Sequence, residues 1–165
     1  MSWRFPSGVA TTYNDGVLES GDGLVDMDIG ERSKREGIVG RPVSRTQARG
    51  KAGEELAERF LARRGLSPLA RNVRCRGGEV DLVCLDRGTV VFVEVRLRSN
   101  PGFGGAAASI TATKRRRVVL AARWWLAGAG RRFAERPCRF DAVLMSALDE
   151  ATVEWLRGAF DADAW

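Results

Sequence analysis

The segment from Gly77 to Arg98, GGEVDLVCLDRGTVVFVEVRLR, most constrains what this chain can fold into. Two apolar, β-branched runs flank an Asp86-Arg87-Gly88 turn signal, the pattern of a β-hairpin. Yet Glu79 and Asp81 open the first run, and Glu94 interrupts the second within VVFVEV. The second run has too few polar residues for a strand with one wet face, so it belongs in the middle of a sheet, covered on both sides. A carboxylate in such a place is costly to bury unless a cation compensates it, either a basic side chain or a metal ion. The chain contains no histidine. That excludes most zinc sites, every nucleophile activated by imidazole, and imidazole acid–base chemistry. Clustered carboxylates without histidine suit a hard cation that takes oxygen ligands, such as Mg²⁺.

The flanking sequence supplies helices for both faces of such a sheet. Ala52, Leu56, Ala57, Phe60 and Leu61 fall at helical spacing among charged residues, which predicts a helix from Gln47 to Arg64 with Gly65 as its C-terminal cap. A strand from Leu69 to Arg74, a turn at Gly77 and Gly78, and strands from Glu79 to Leu85 and Thr89 to Leu97 follow. NPGFGG, Asn100 to Gly105, reads as a loop. Thr111 or Thr113 can cap a second helix through Leu126, with Val118, Ala121, Ala122, Trp125 and Leu126 as its apolar stripe. Further strands are predicted at Arg139 to Met145 and, shorter, at Thr152 to Leu156. The second helix is long enough for a crossover that makes the fourth strand parallel to the third. The expected architecture is an α/β fold with a mixed sheet: helix, three-stranded meander, helix, strand. Residues 1–46 carry few large apolar side chains and no sustained period, so they read as a disordered extension; alternatively, translation begins later, for example at Met27. Residues 47–165 read as one domain.

A formal net charge of +6 attracts polyanions, so nucleic acid or an anionic membrane surface is the natural partner. The basic residues are almost all arginine, with lysine only at positions 34, 51 and 114. That bias fits forked phosphate recognition, and it equally fits a GC-rich genome. No run approaches the roughly 18 apolar residues of a membrane span. Cys75, Cys84 and Cys138 are odd in number and lack CxxC spacing, so they make neither a disulfide framework nor a zinc site. Free thiols fit a reducing, cytoplasmic compartment. KRRR, Lys114 to Arg117, crowds cations into the first turn of a helix, where the macrodipole disfavours them. A bound phosphate would reverse that cost; the alternative is a solvated face kept for solubility. Trp124 and Trp125 offer either a base-stacking platform or a core residue beside an exposed neighbour.

Period two places Glu79 and Asp81 on one face of their strand, and Glu94, Arg96 and Arg98 on one face of theirs. If the strands pair through the turn at Asp86, the acids converge at the sheet end near Gly78 and Leu97. Glu54, on the first helix, can reach the same end. The bland alternative for Glu94 and Arg96 is a salt bridge on an edge strand facing water. For Glu54 it is a solvated helix residue paired with Lys51.

The ordered set of motifs resembles the YraN family of uncharacterised bacterial proteins. These are predicted endonucleases of restriction-endonuclease-like fold, distantly similar to archaeal Holliday junction resolvases. The matching residues are G-x-x-GE-x-x-A at Gly50 to Ala57, N-x-R at Asn72 to Arg74, GEVDLV at Gly78 to Val83 and VFVEVR at Val91 to Arg96. They continue with Phe103 and Gly104, Lys114 and Arg117, and RFDAV at Arg139 to Val143. The resemblance implies a restriction-endonuclease-like domain over residues 47–165 that hydrolyses DNA phosphodiester bonds with Mg²⁺ or Mn²⁺. Asp81, Glu94 and the Val95 carbonyl would hold the metal, with Glu54 and Glu79 as further ligands. Glu54, Asp81, Glu94 and Arg96 would form the catalytic set, and Arg98, Lys114, Arg115 and Arg117 would contact nucleic acid. A homodimer is implied by analogy with the resolvases. The related pattern usually ends in lysine, and here that position is Arg96, which stays charged and cannot act as a base. That departure keeps open a catalytically inactive nucleic-acid-binding module. A basic scaffold for protein partners is a third reading.

Overall fold

The computed structural model describes residues 44–97 and 110–162. Most of the expected N-terminal extension, Arg98, and the NPGFGG loop with Phe103 and Gly104 lie outside the described residues. The elements are α1 (Arg45–Arg63), β1 (Ser67–Cys75), β2 (Gly78–Asp86), β3 (Thr89–Leu97), α2 (Ala112–Ala127), β4 (Cys138–Met145) and β5 (Val153–Phe160). Single 3₁₀ turns at Arg131–Phe133 and Glu150–Thr152 precede the last two strands. The sheet runs in chain order, β1-β2-β3-β4-β5. Every pairing is antiparallel except β3 with β4, which is parallel because α2 carries the chain across. The fold is restriction-endonuclease-like α/β, as the motifs imply.

Each helix starts where its sequence supplies a cap. Ser44 Oγ accepts from Gln47 N at 3.2 Å, and Gln47 Oε1 accepts from Ser44 N at 3.1 Å, a reciprocal capping box. That box starts α1 two residues before the Gln47 expected, so the folded part reaches back to Ser44 rather than to 47. Gly65, at φ +90, ends it as foreseen. At α2, Thr111 Oγ1 accepts from Lys114 N at 3.2 Å. β5 is longer than the predicted Thr152 to Leu156. A register shift between Phe140 and Ala142 and a left-handed Gly158, at φ +61, carry the strand through Arg157-Gly158, which sequence marks as a stop.

The apolar runs bury both faces of the sheet. Under α1, Ala57, Phe60 and Leu61 pack with Leu82, Val91, Val93, Val143 and Met145. Under α2, Val118, Ala121, Ala122 and Trp125 pack with Val83, Val90, Phe92 and Ala142. Successive residues of β3 thus alternate between two dry layers, and Glu94 falls on the α2 side with Val90 and Phe92. Phe92 stacks on Phe140 with ring centroids 5.5 Å apart and meets Trp125 edge-on at 6.1 Å. Trp125 is therefore core, and Trp124 is its exposed neighbour. Among the described residues no helix is long and apolar enough to cross a membrane.

One glycine sets how closely α2 approaches. A Cβ on Gly78 would lie 2.6 Å from the Arg117 carbonyl oxygen and 2.9 Å from Ala121 N, both backbone atoms of α2. The helix therefore rests directly on the start of β2, above the acids of that strand. Gly78→Ala should push α2 outward and cost about 1–3 kcal/mol of stability, measured by urea unfolding.

Candidate functional site

Three charged residues are buried among those described: Asp86, Glu94 and Asp141. Two are held by one arginine. Arg139 donates to Asp141 through Nε at 2.8 Å and Nη2 at 3.0 Å, and its Nη2 also reaches Asp86 Oδ2 at 3.0 Å. Trp155 Nε1 at 3.0 Å and Gly158 N at 2.9 Å also donate to Asp141. This closed network pins the irregular second half of β5 and explains the Arg and Asp of the RFDAV motif as structural.

Glu94 is different. It is 2% exposed and has no comparable set of donors. Lys114 Nζ stands 3.2 Å from its Oε2, but off the line a hydrogen bond needs, so that oxygen is buried without one. Arg96 Nη1 lies 3.8 Å from Oε1, too far for a hydrogen bond. Burial, and next the charge of neighbouring Asp81, raise the Glu94 carboxyl to about 7, although Lys114 pulls the other way. The salt bridge on a wet edge strand is thus excluded: β3 is central and Glu94 is dry.

Asp81 marks the point where β2 and β3 part. Their ladder ends at Leu82 with Val93, and beyond it Asp81 Oδ2 accepts directly from Val95 N at 2.8 Å. A side chain thus replaces the next backbone bond and fixes the Val95 peptide beside Glu94. Opposite Asp81, Asn72 adopts a left-handed backbone at φ 50. Val80 and Val83 both pack under α2, so the alternation of β2 slips by one residue around Asp81. Strict period two could not foresee that slip, which aims Asp81 into the gap between the strands.

The other acids have partners of their own. Glu54 Oε2 accepts from Asn72 Nδ2 at 3.0 Å. Burial and the nearby Asp81 raise its carboxyl, against the Asn72 hydrogen bond. Lys51 pairs instead with Glu55, at 4.0 Å. Glu79 Oε1 takes Lys114 Nζ at 3.0 Å and Arg117 Nη2 at 3.3 Å, and the Lys114 hydrogen bond lowers its carboxyl below the usual range. Lys114 and Arg117 thus spend their charge on Glu79 and Glu94. Glu79 of β2 and Glu94 of β3 thus supply negative charge beside the cations crowded into the first turn of α2. Burial works against the Lys114 ammonium, yet Glu94, Glu79 and Asp81 together hold its pKa above the ordinary lysine value. Arg115 Nε donates to the Ile110 carbonyl at 2.9 Å. The inward placement of Lys114 and the grip of Asn72 on Glu54 carry no local sequence signal; only the position of α2 and the twist of β1 create them.

Among the described residues no three acidic or cysteine side chains converge on one point. Glu54 is held by Asn72, and Glu79 by Lys114 and Arg117. What fits a divalent cation is the pair Asp81–Glu94, with a fixed peptide at Val95 and a buried oxygen that lacks a hydrogen-bond donor. The cysteines offer nothing here: burial pushes the Cys84 and Cys138 thiols up to about 12, so neither is a thiolate near neutrality.

A five-stranded mixed sheet with a helix on each face, and an acid pair where two central strands part, defines a restriction-endonuclease-like α/β protein. The family model described as uncharacterised protein family UPF0102 matches residues 53–145, and the chain belongs to that family, the YraN proteins. A UPF0102 protein of Cupriavidus taiwanensis is 59% identical over 119 residues, covering 72% of this chain and 86% of the relative. Similar proteins of Methylobacillus flagellatus (51% identical, covering 68% of this chain and 96% of that one) and Nitrosomonas europaea (52%, 68% and 93%) carry the same description.

Glu94 gives the site a pH signature. Its folded value of about 7 lies above the ordinary 4.5, so the folded state holds the proton more tightly than the unfolded chain. The stability this contributes is whole below the unfolded value and is lost as pH rises through about 7. Without divalent metal, Glu94→Gln should therefore gain on the wild type by roughly 2–3 kcal/mol between mildly acidic pH and about pH 8, read by urea unfolding across that range.

Proposed function

We propose that this protein is a divalent-metal-dependent endonuclease that hydrolyses phosphodiester bonds of DNA. The observation that carries the reading is the Asp81–Glu94 pair, a half-buried carboxylate beside a buried one whose Oε2 lacks a hydrogen bond. Asp81, Glu94 and the Val95 carbonyl would hold Mg²⁺ or Mn²⁺, both of which favour oxygen ligands. Such an ion, when bound, lowers the pKa of a water and stabilises charge on the attacked phosphate.

The chain's own groups serve the rest of that task. The Asp81 bond to Val95 N holds the Val95 peptide in register with Glu94. Asn72 holds Glu54 one step back, where a carboxylate can accept a hydrogen bond from a water beside the pair. Arg96 is 36% exposed and can grip a phosphate oxygen while remaining charged. The net charge of +6 favours a nucleic-acid backbone over the surface as a whole.

Arg96 in place of lysine favours one second reading, a nucleic-acid-binding module of the same fold without cleavage. Plasmid and branched DNA incubated with Mg²⁺ or Mn²⁺ separates the two. Cutting should require the metal, and Asp81→Ala and Glu94→Ala should each slow it by roughly a hundredfold or more. DNA binding that weakens steeply with salt but never leads to metal-dependent cutting would establish the second reading instead.

A further inference from the structure

We propose that Lys114 is the positioning amine of this centre, delivered to the carboxylates from the start of α2 in place of the lysine that the related pattern sets two residues after Glu94. The inference rests on the hydrolase reading above.

Two cations compete for that part. Arg96, at the pattern position, is 3.8 Å from Glu94 Oε1 with its side chain 36% exposed. Lys114 is closer and drier: 3.2 Å from Glu94 Oε2 and 3.0 Å from Glu79 Oε1, with its side chain 17% exposed. Its placement is over-determined. The Thr111 cap fixes its backbone at the third position of α2. The bare Cα of Gly78 lets that helix lie directly on β2, which brings the lysine within reach of acids on two strands. A compact ammonium suits the space between two carboxylates better than a planar guanidinium. It carries three N–H donors, of which Glu79 takes one, leaving donors beside Glu94 for a water or a phosphate oxygen.

The role follows from charge and position. Lys114 steers the Glu94 carboxylate and presents a donor beside it, while its like charge opposes a divalent ion at the same acids. A divalent ion feels that charge twice as strongly as a proton does, so loss of Lys114 should tighten metal binding even though Glu94 also gains affinity for protons. An ion pair that merely supported the fold would behave differently. Its loss would loosen Glu94, weaken metal binding and slow cleavage together.

Manganese titration by calorimetry at about pH 8, beside plasmid cleavage, distinguishes the two for wild type, Lys114→Met, Lys114→Arg and the double variant Lys114→Met/Arg96→Lys. Lys114→Met should bind Mn²⁺ about tenfold more tightly yet cut roughly a hundredfold more slowly, and the double variant should recover at least about tenfold of that loss. Lys114→Arg keeps the charge and the ion pairs, and therefore the fold, but should still cut about tenfold more slowly. Unchanged or weaker Mn²⁺ binding by Lys114→Met, or wild-type cutting by Lys114→Arg, overturns the proposal while leaving the hydrolase reading in place. Absence of Mn²⁺ binding by the wild type overturns that reading and this inference with it.

Discussion

The burial of Glu94 in the central strand, against Asp81, is the interaction on which the rest of this structure depends. A carboxylate at that depth is destabilising unless the surroundings supply positive charge. Here the protein supplies it incompletely. One ammonium, shared with Glu79, faces two acids, and a buried oxygen of Glu94 is left without a hydrogen bond. The contrast with Asp141, equally buried and fully satisfied by Arg139, Trp155 and Gly158, shows that this chain can neutralise an interior acid when only structure is at stake.

The fold turns that imbalance into a site. The two dry layers around β3 fix the strand on both faces, so Glu94 cannot swing out to water. The end of the β2–β3 ladder opens a gap there, and the Asp81 bond to Val95 N keeps the gap from closing into a regular sheet. α2 does double service. Its apolar stripe covers Phe92 and Val90, and its first turn, set down on Gly78, carries Lys114 to the acids. A single helix thus couples core packing to the electrostatics of the carboxylate pair.

Much of this was legible in the residues. The unbroken VVFV run placed β3 centrally, the Asp86-Arg87-Gly88 turn set the hairpin, and Val118, Ala121, Ala122, Trp125 and Leu126 gave the buried face of α2. The meeting of Asp81 with Glu94 followed from hairpin register. What escaped was what register does not determine. The slip of β2 at Asp81 stands opposite a left-handed Asn72 on the neighbouring strand, and asparagine tolerates that conformation without advertising it. The KRRR run read as either a phosphate contact or a solvated face, because helical periodicity says nothing about what lies opposite the first turn. Only the close approach at Gly78, a contact between elements about forty residues apart in the chain, turns Lys114 inward and sets the exposed Arg117 against Glu79. Likewise Arg157-Gly158 has the composition of a turn, and tertiary bonds to Asp86 and Asp141 hold it in a strand.

The central claim is that Asp81 and Glu94 together grip one divalent ion. Anomalous diffraction from crystals grown with Mn²⁺ tests it most directly. The account predicts one strong anomalous peak between those two carboxylates and beside the Val95 carbonyl. A map with no peak there, or with manganese only on other acids, would contradict it.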